Sequence, residues 1–271
     1  MTLKNPKEKK TTNRKEMPFL DHLEELRWRI LKSLISIVLC TFVASPFTAS
    51  MLRLLTLPND HLKQPAKLIF LKPTGMFMIR MEVAVAGGII ISFPIIFYQF
   101  WQFVAPGLLS KEKKYFLPTL FFTTFCFLAG ALFCYTVLIP VILPFLFSMG
   151  TETIEATINI NEYMSFVLRL IVASGLIFEL PILSFYLSRI GIITPTFLRK
   201  YRRHSIVFIF IFAAIITPPD PFSQTLLAIP LLLLYEISIW VSMIGYRKKK
   251  VSDKAFEEEY RSPTENKKIE A

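Results

Sequence analysis

The sequence predicts an all-α, polytopic integral membrane protein with six transmembrane helices. Of its 271 residues, 53% are hydrophobic, and the apolar residues come in blocks instead of recurring on one helical face. The 31 Lys and Arg lie mainly at the ends of these blocks, in alternate loops, which is the pattern of membrane topology. The formal charge of +11 therefore does not indicate a phosphate-binding face, and no nucleic-acid partner is expected.

Six apolar blocks follow one another along the chain, and each is predicted to be a membrane span. They cover roughly residues 30–48, 76–104, 116–147, 164–188, 205–217 and 223–245. No internal repeat is visible, which argues against a transporter built from inverted repeats. The membrane domain is expected over 17–246, between a disordered basic tail at 1–16 and a charged tail at 247–271.

Basic residues predict the orientation of the spans. The segments before the first span, after the second, after the fourth and after the last are rich in Lys and Arg, whereas the 148–163 loop has three Glu and no basic residue. By the positive-inside rule the basic segments are cytoplasmic. Both termini are therefore predicted to be cytoplasmic.

The fifth and sixth spans are predicted to be short. At about 1.5 Å per residue the fifth block covers only about 20 Å, against a hydrocarbon core of about 30 Å. We therefore expect a tight hairpin with a thinned bilayer or a water-filled recess beside it. The third block is longer than one straight span needs, and Pro140 and Pro144 predict a kink or a continuation along the outer surface.

An amphipathic helix is predicted before the first span, at "MPFLDHLEELRWRI" (17–30), where apolar residues recur at helical spacing. The simplest interpretation of its acids is a cytoplasmic collar in which Glu25 pairs with Arg29 one turn later. A further acid, Glu112, stands among three lysines in "KEKK" and its flank, between the second and third spans. Its simplest interpretation is local charge balance.

Glu179 lies near the middle of the apolar run "LIVASGLIFELPILSFYL" (170–187), with Pro181 two residues on. A charge at mid-depth costs about 3 kcal/mol or more, so this side chain should face protein or water and have a function. The alternative is a protonated carboxyl bonded to a neighbouring helix. Gln224 and Glu236 are the other strongly polar residues that we single out in the later spans.

The segment "TPPDPFSQ" (217–224) predicts a tight turn between the fifth and sixth spans, fixed by Pro218 and Pro219. Asp220 is expected to cap the following helix through the backbone amide of Ser223 or Gln224. The cap and a functional role are compatible.

Five stretches of this sequence, in this order, resemble the TatC family of the twin-arginine protein translocase: "HLEELRWRI", "FWQFVAPGLLSKEKK", "FELP", "TPPDPFSQTLLAIP" and "LLLYEIS". The resemblance covers about residues 17–245. It implies a concave, glove-like arrangement of the spans in a cell (inner) membrane. It also implies a receptor that recognises signal peptides with paired arginines and, with single-span TatA and TatB subunits, transports folded proteins using the proton-motive force. The family further implies self-association in the receptor complex.

The resemblance also assigns roles to the polar residues. By position, the acids that receive the arginine pair are Glu25 and Glu112, with Glu24 in a more variable slot and ranked below them. A guanidinium matches a carboxylate in a bidentate geometry that lysine cannot copy, which gives specificity for two arginines a mechanism.

The resemblance also implies that three residues of the later spans lie on the surface where the signal peptide and partner helices dock: Glu179, Gln224 and Glu236. Glu179 is expected to face a water-reaching cavity.

Two other classes of protein are weighed against this one. A proton- or ion-coupled secondary transporter of a small solute would also use Glu179 and Glu236. An enzyme would need a nucleophile or metal set, but neither H-E-x-x-H nor G-x-S-x-G occurs. The three Cys lie in apolar blocks without a C-x-x-C pair, so no metal, disulfide or cofactor is predicted.

Overall fold

The computed structural model describes residues 19–62, 65–104, 116–148, 157–218 and 220–269, and these residues form a helical bundle. The first half contains the helices α1 (Phe19–Ala44), α2 (Thr48–Asp60), α3 (Gly75–Val104), α4 (Phe116–Phe133) and α5 (Ile139–Ser148). The second half contains α6 (Ile160–Ile177), α7 (Leu180–Ile190), α8 (Pro195–Lys200), α9 (Arg202–Ile216) and α10 (Pro221–Ile269). Two short strands, β1 (Lys67–Ile69) and β2 (Thr157–Asn159), complete the described elements.

Five helical segments of the described chain are long and apolar enough to cross a membrane: His22–Asp60, Gly75–Phe103, Pro118–Ser148, Ile160–Arg189 and Pro221–Arg247. They match five of the six predicted spans. The remaining one, α9, has only 15 residues and extends about 22 Å at the usual rise per residue. The prediction of a short fifth helix is confirmed.

The sixth helix differs from the prediction, because α10 is 49 residues long and is not short. Its apolar part alone, Pro221–Arg247, has 27 residues. Past this part the sequence continues with "KKKVSDKAFEEEY", in which Lys, Glu and Ala favour helix and no Gly or Pro interrupts it. The helix therefore does not end where the apolar block ends.

The surface of the bundle is apolar, unlike that of a soluble domain, and its largely apolar interior also holds several hydroxyl groups. Phe121 is 81% exposed and Trp240 is 68% exposed, whereas Ser188 and Ser242 are fully buried. Exposed aromatic side chains on this scale suit contact with lipid. Small polar residues inside allow helices to approach closely, and Ser188 Oγ and Ser242 Oγ lie 2.6 Å apart between α7 and α10.

Helix α6 with α7 forms the centre of the bundle, since 61% of its most apolar stretch is buried, against 11% for the first span. The helical conformation is interrupted between α6 and α7, at Phe178 and Glu179. Pro181 follows the break; its nitrogen carries no hydrogen, so it cannot extend the α6 hydrogen-bond ladder.

Irregular turns mark one end of each of two spans. A π-helical turn, Cys134–Leu138, separates α4 from α5 two residues before Pro140. A 3-10 turn, Ser45–Phe47, separates α1 from α2. Helix α2 occupies a segment predicted to be a loop, because Leu52 and Leu55 recur on one face and pack into the core.

On the same side of the bundle, β1 and β2 pair in parallel, with Leu68 opposite Ile158. This pairing brings together the loops that lead into α3 and α6. At this side Tyr163 in α6 also donates its hydroxyl to the carbonyl of Leu55 in α2, at 2.9 Å. These contacts hold the two loops and α2 against one end of the bundle.

Helix α1 packs against α3 more extensively than any other pair of described elements. The approach is close at Gly88, where an added Cβ would lie 2.7 Å from the backbone nitrogen of Thr41 and 2.8 Å from its Cα. This explains Gly88 in the middle of a helix, where a glycine weakens helix formation by about 1 kcal/mol. We call the packing interface between α1 and α3 the seam, and it continues to the candidate site.

Candidate functional site

Glu25 lies near the start of α1 and forms an ion pair with Arg29, as the simplest interpretation of this helix predicted. Arg29 Nε donates to Glu25 Oε1 at 3.0 Å, and Nη2 donates to the same oxygen. Both side chains are largely covered, with exposed fractions of 21% for Glu25 and 16% for Arg29. The carboxylate is therefore held in a single position within the seam.

Helix α3 completes the surroundings of this pair. Arg29 Nη1 donates to Gln102 Oε1 at 2.5 Å, and Gln102 Nε2 donates to the hydroxyl of Tyr98. The ring of His22 stacks on Phe103 with 4.3 Å between centroids. We call His22, Glu25, Arg29, Gln102 and Phe103 the Glu25 cluster.

The two carboxylate oxygens of Glu25 differ in their hydrogen bonding. Oε2 is buried and has no hydrogen-bond partner in the part of the chain that the structure describes. His22 Nδ1 lies 3.6 Å from this oxygen. A buried, unpaired carboxylate oxygen is costly, so this one is a candidate acceptor for a cationic ligand.

The other acids predicted for this site are placed differently. Glu24 is exposed and lies outside the Glu25 cluster. Glu112 lies outside the described residues. The predicted amphipathic helix is present as the first turns of α1, but its polar face packs on α3 while Leu23 and Ile30 are 46% and 59% exposed.

Glu179 lies at the break between α6 and α7 and is only 3% exposed. Neither of its carboxyl oxygens has a hydrogen-bond partner among the described residues. It therefore faces protein, as the cost of a charge at mid-depth predicted, and not a water-reaching cavity. Native proteins rarely bury a carboxyl group whose two oxygens both lack hydrogen-bond partners, so we expect Glu179 to have a function.

Close helix packing surrounds this break. Ser174 Oγ donates to the carbonyl of Gly130 at 2.9 Å, which ties α6 to α4. A Cβ added at Gly175 would lie 2.6 Å from the ring of Phe127. The two helices therefore meet through glycine and serine one turn before Glu179.

Gln224 and Glu236 are not grouped as the sequence suggested. Gln224 Nε2 donates to the carbonyl of Phe210 at 2.9 Å, linking the start of α10 to α9. Glu236 lies about 18 Å further along α10 and pairs with Arg202 of α9, with 2.7 Å between Oε2 and Nη2. Both members of that ion pair are nearly half exposed, so it contributes little stability.

Asp220 caps α10 as predicted. Its Oδ1 accepts a hydrogen bond from the backbone N–H of Ser223 at 2.7 Å. The turn begins with the N–H of Asp220, which donates to the carbonyl of Pro218 at 2.7 Å, while Pro219 lies outside the described residues.

Asp220→Ala is expected to lower the free energy of unfolding by about 1 kcal/mol, because the first turn of α10 loses its cap. Asp220→Asn keeps an oxygen at this position and serves as the control. Thermal denaturation of the two purified variants measures the difference. Equal melting temperatures would show that the cap does not stabilise the hairpin.

One charged residue of the membrane-spanning part, Arg169, was missed from the sequence. Ser165 Oγ donates to Glu82 Oε1 at 2.6 Å, joining α6 to α3. Arg169, one turn further along α6, is exposed and donates to the carbonyl of Ser165 at 2.9 Å. A search for every charged residue in the apolar blocks, rather than for acids alone, would have found Arg169.

The described residues contain no group of three or more His, Cys, Asp or Glu side chains placed to hold a metal ion. Cys40, Cys126 and Cys134 are free thiols. The polar groups that stand out are thus the Glu25 cluster and Glu179.

Comparison with known proteins identifies the family. The family model of the Sec-independent protein translocase protein (TatC) matches residues 21–230. The chain belongs to the TatC family. This stretch contains the Glu25 cluster, Glu179 and Gln224, whereas Glu236 lies just beyond it.

Relatives and solved structures agree with this membership. TatC of Aquifex aeolicus is 42% identical over 241 residues, which cover 88% of this chain and all of the relative. TatC of Helicobacter pylori strain 26695 is 41% identical over 82% of this chain and 85% of the relative. A crystal structure of the twin-arginine translocase receptor TatC superimposes with a TM-score of 0.77 at 40% identity, covering 83% of this chain and 99% of that one.

These likenesses extend over most of both chains, so the chain is a multi-pass membrane protein of the TatC type. They support the translocase and give no support to the alternative of a secondary transporter for a small solute.

Proposed function

We propose that this chain is the subunit of a twin-arginine translocase that receives signal peptides with paired arginines and, with TatA- and TatB-type partners, moves folded proteins across the membrane. The observation that carries the proposal is the Glu25 cluster: a covered carboxylate held by Arg29, which is bonded in turn to Gln102 of α3, with one oxygen that has no hydrogen-bond partner among the described residues. Membership of the TatC family supports it independently.

The chemistry of the cluster suits a guanidinium better than an ammonium group. An arginine presents its N–H donors in a rigid plane, and a carboxylate held in one orientation favours that geometry. A lysine carries one compact charge and gains less from the orientation. Glu112 is proposed as the acceptor of the second arginine, and Glu24 has at most a lesser role.

The direct experiment is binding of a twin-arginine signal peptide, and of its twin-lysine counterpart, to the purified full-length chain. We expect the twin-arginine peptide to bind at least about tenfold more tightly, a difference of about 1.4 kcal/mol. Equal affinity for the two peptides would refute the receptor role.

The remaining parts of the proposal follow from the family. Both termini are cytoplasmic, the membrane is a cell (inner) membrane, and the proton-motive force drives transport without a covalent step. Copies of the chain associate in the receptor complex. Glu179, Gln224 and Glu236 contribute to the docking of the signal peptide and partner helices, for which Glu179 must first become accessible.

Glu179→Leu is expected to keep the melting temperature of the purified chain unchanged or to raise it, because it removes two buried oxygens without partners. Signal-peptide binding should persist, while export of a twin-arginine cargo should fall at least about tenfold since partner docking loses its polar contact. Glu179→Gln, the control of similar shape, should keep peptide binding and lose less export. Full export by Glu179→Leu would show that this carboxyl has no part in transport.

A further inference from the structure

Arg29 binds Glu25 in an unusual way. An arginine and a carboxylate ordinarily share two parallel hydrogen bonds, one to each oxygen. Here both Nε and Nη2 of Arg29 donate to Oε1 alone. Oε2 is left buried and without a hydrogen-bond partner among the residues that the structure describes.

Helix α3 explains this geometry. The third nitrogen of the guanidinium, Nη1, donates to Gln102 Oε1, and Gln102 is itself bonded to Tyr98 one turn earlier. The guanidinium is thus held between two helices.

The residue beside Glu25 Oε2 is His22. His22 Nδ1 lies 3.6 Å away, and its ring rests flat on Phe103. The side chain of His22 is 40% exposed, so it is the covering group that can turn toward solvent. A guanidinium arriving from solvent would take its place beside Oε2.

We propose that Arg29 and Gln102 are positioning residues for recognition: they hold the Glu25 carboxylate by one oxygen so that the other receives an arginine of the signal peptide. This inference rests on the proposed receptor function. It assigns the selectivity for arginine to the fixed orientation of the carboxylate, and not to its charge alone. A freely rotating carboxylate would accept lysine and arginine more equally.

The opposite hypothesis makes Arg29 an internal competitor that occupies the site of the ligand. The two hypotheses predict opposite signs. If Arg29 positions Glu25, its removal weakens binding of the twin-arginine peptide. If Arg29 competes for Glu25, its removal strengthens that binding.

The test compares the affinity of the full-length chain for twin-arginine and twin-lysine signal peptides in five variants. Arg29→Gln is expected to lower the ratio of the affinity for the twin-arginine peptide to that for the twin-lysine peptide about tenfold, mainly by weakening binding of the twin-arginine peptide. Gln102→Leu, which changes no charge, should act in the same direction by about threefold. The double variant should be no worse than Arg29→Gln, because both changes break one network.

Arg27→Gln is the matched control. Arg27 lies on the same helix, is exposed, and its loss removes the same charge. The ratio of affinities should stay at the value of the unmodified chain. An equal fall in Arg27→Gln and Arg29→Gln would reduce the effect to charge and overturn the inference, as would tighter binding of the twin-arginine peptide by Arg29→Gln.

Failure of the inference differs from failure of the proposed function. If Glu25→Gln lowers the ratio but Arg29→Gln and Gln102→Leu do not, the receptor site stands and the positioning role is refuted. If Glu25→Gln leaves the ratio unchanged, the receptor site itself is refuted. Gln102→Leu decides the positioning role even if Arg29→Gln is poorly folded.

Discussion

Glu25→Gln is expected to weaken binding of a twin-arginine signal peptide by about 30- to 100-fold. The variant keeps the size of the side chain and one oxygen acceptor but loses the negative charge. A hydrogen bond to a charged group contributes about 1.5–3 kcal/mol, or about 12- to 160-fold in affinity, and the expected loss lies within these limits. The measurement is the affinity of a labelled peptide for the purified full-length chain.

Glu24→Gln is the natural control for this prediction, since Glu24 adjoins Glu25 but is exposed and lies outside the Glu25 cluster. Its effect should be no more than about threefold, as expected for an exposed charge screened by solvent. Comparable losses in the two variants would mean that the acids act as a diffuse charge. The fixed geometry around Glu25 would then have no role.

Gly88→Ala is expected to lower the free energy of unfolding by about 3 kcal/mol and the melting temperature by about 10 °C. Alanine favours helix over glycine, so local propensity predicts the opposite sign. The added Cβ would lie 2.7 Å and 2.8 Å from backbone atoms of Thr41, which cannot turn aside as a side chain could. Helices α1 and α3 must therefore separate.

Gly75→Ala, in the same helix, is the matched substitution. Its Cβ would meet Asn161 and Phe70 at 3.4 Å, an ordinary contact. The melting temperature should change by no more than about 2 °C. Signal-peptide binding should fall in Gly88→Ala but not in Gly75→Ala, because Glu25 and Gln102 lie on opposite sides of the seam. A stable Gly88→Ala protein would show that the seam tolerates wider spacing.

The membrane fold could be predicted from the sequence because its signal is local. An apolar block of span length has few possible structures other than a transmembrane helix, and the basic residues at its ends mark the loops. The same local signal explains the two misjudged elements. Apolar composition says where a span ends but not where a helix ends, so α10 extends past the predicted boundary, and the buried face of α2 was taken for a loop.

The candidate site could be predicted only in part. The pair of Glu25 with Arg29 follows from a spacing of four residues on a helix. Its bond to Gln102 joins residues 73 positions apart and depends on how α1 meets α3, which no local pattern encodes. The burial of Glu179 likewise depends on the packing of α4 against α6. For these reasons the sequence predicted the pairing of Glu25 with Arg29, but not which carboxylate oxygen lacks a hydrogen-bond partner.

The most direct test of the account is export of a folded reporter behind a twin-arginine signal peptide, in cells that lack their own TatC and are supplied with this chain and its cognate TatA and TatB. We predict that export is restored, that a twin-lysine signal abolishes it, and that Glu25→Gln reduces it strongly. Absence of export, although the chain is present in the membrane at normal amounts, would contradict the assignment of this protein as the twin-arginine receptor.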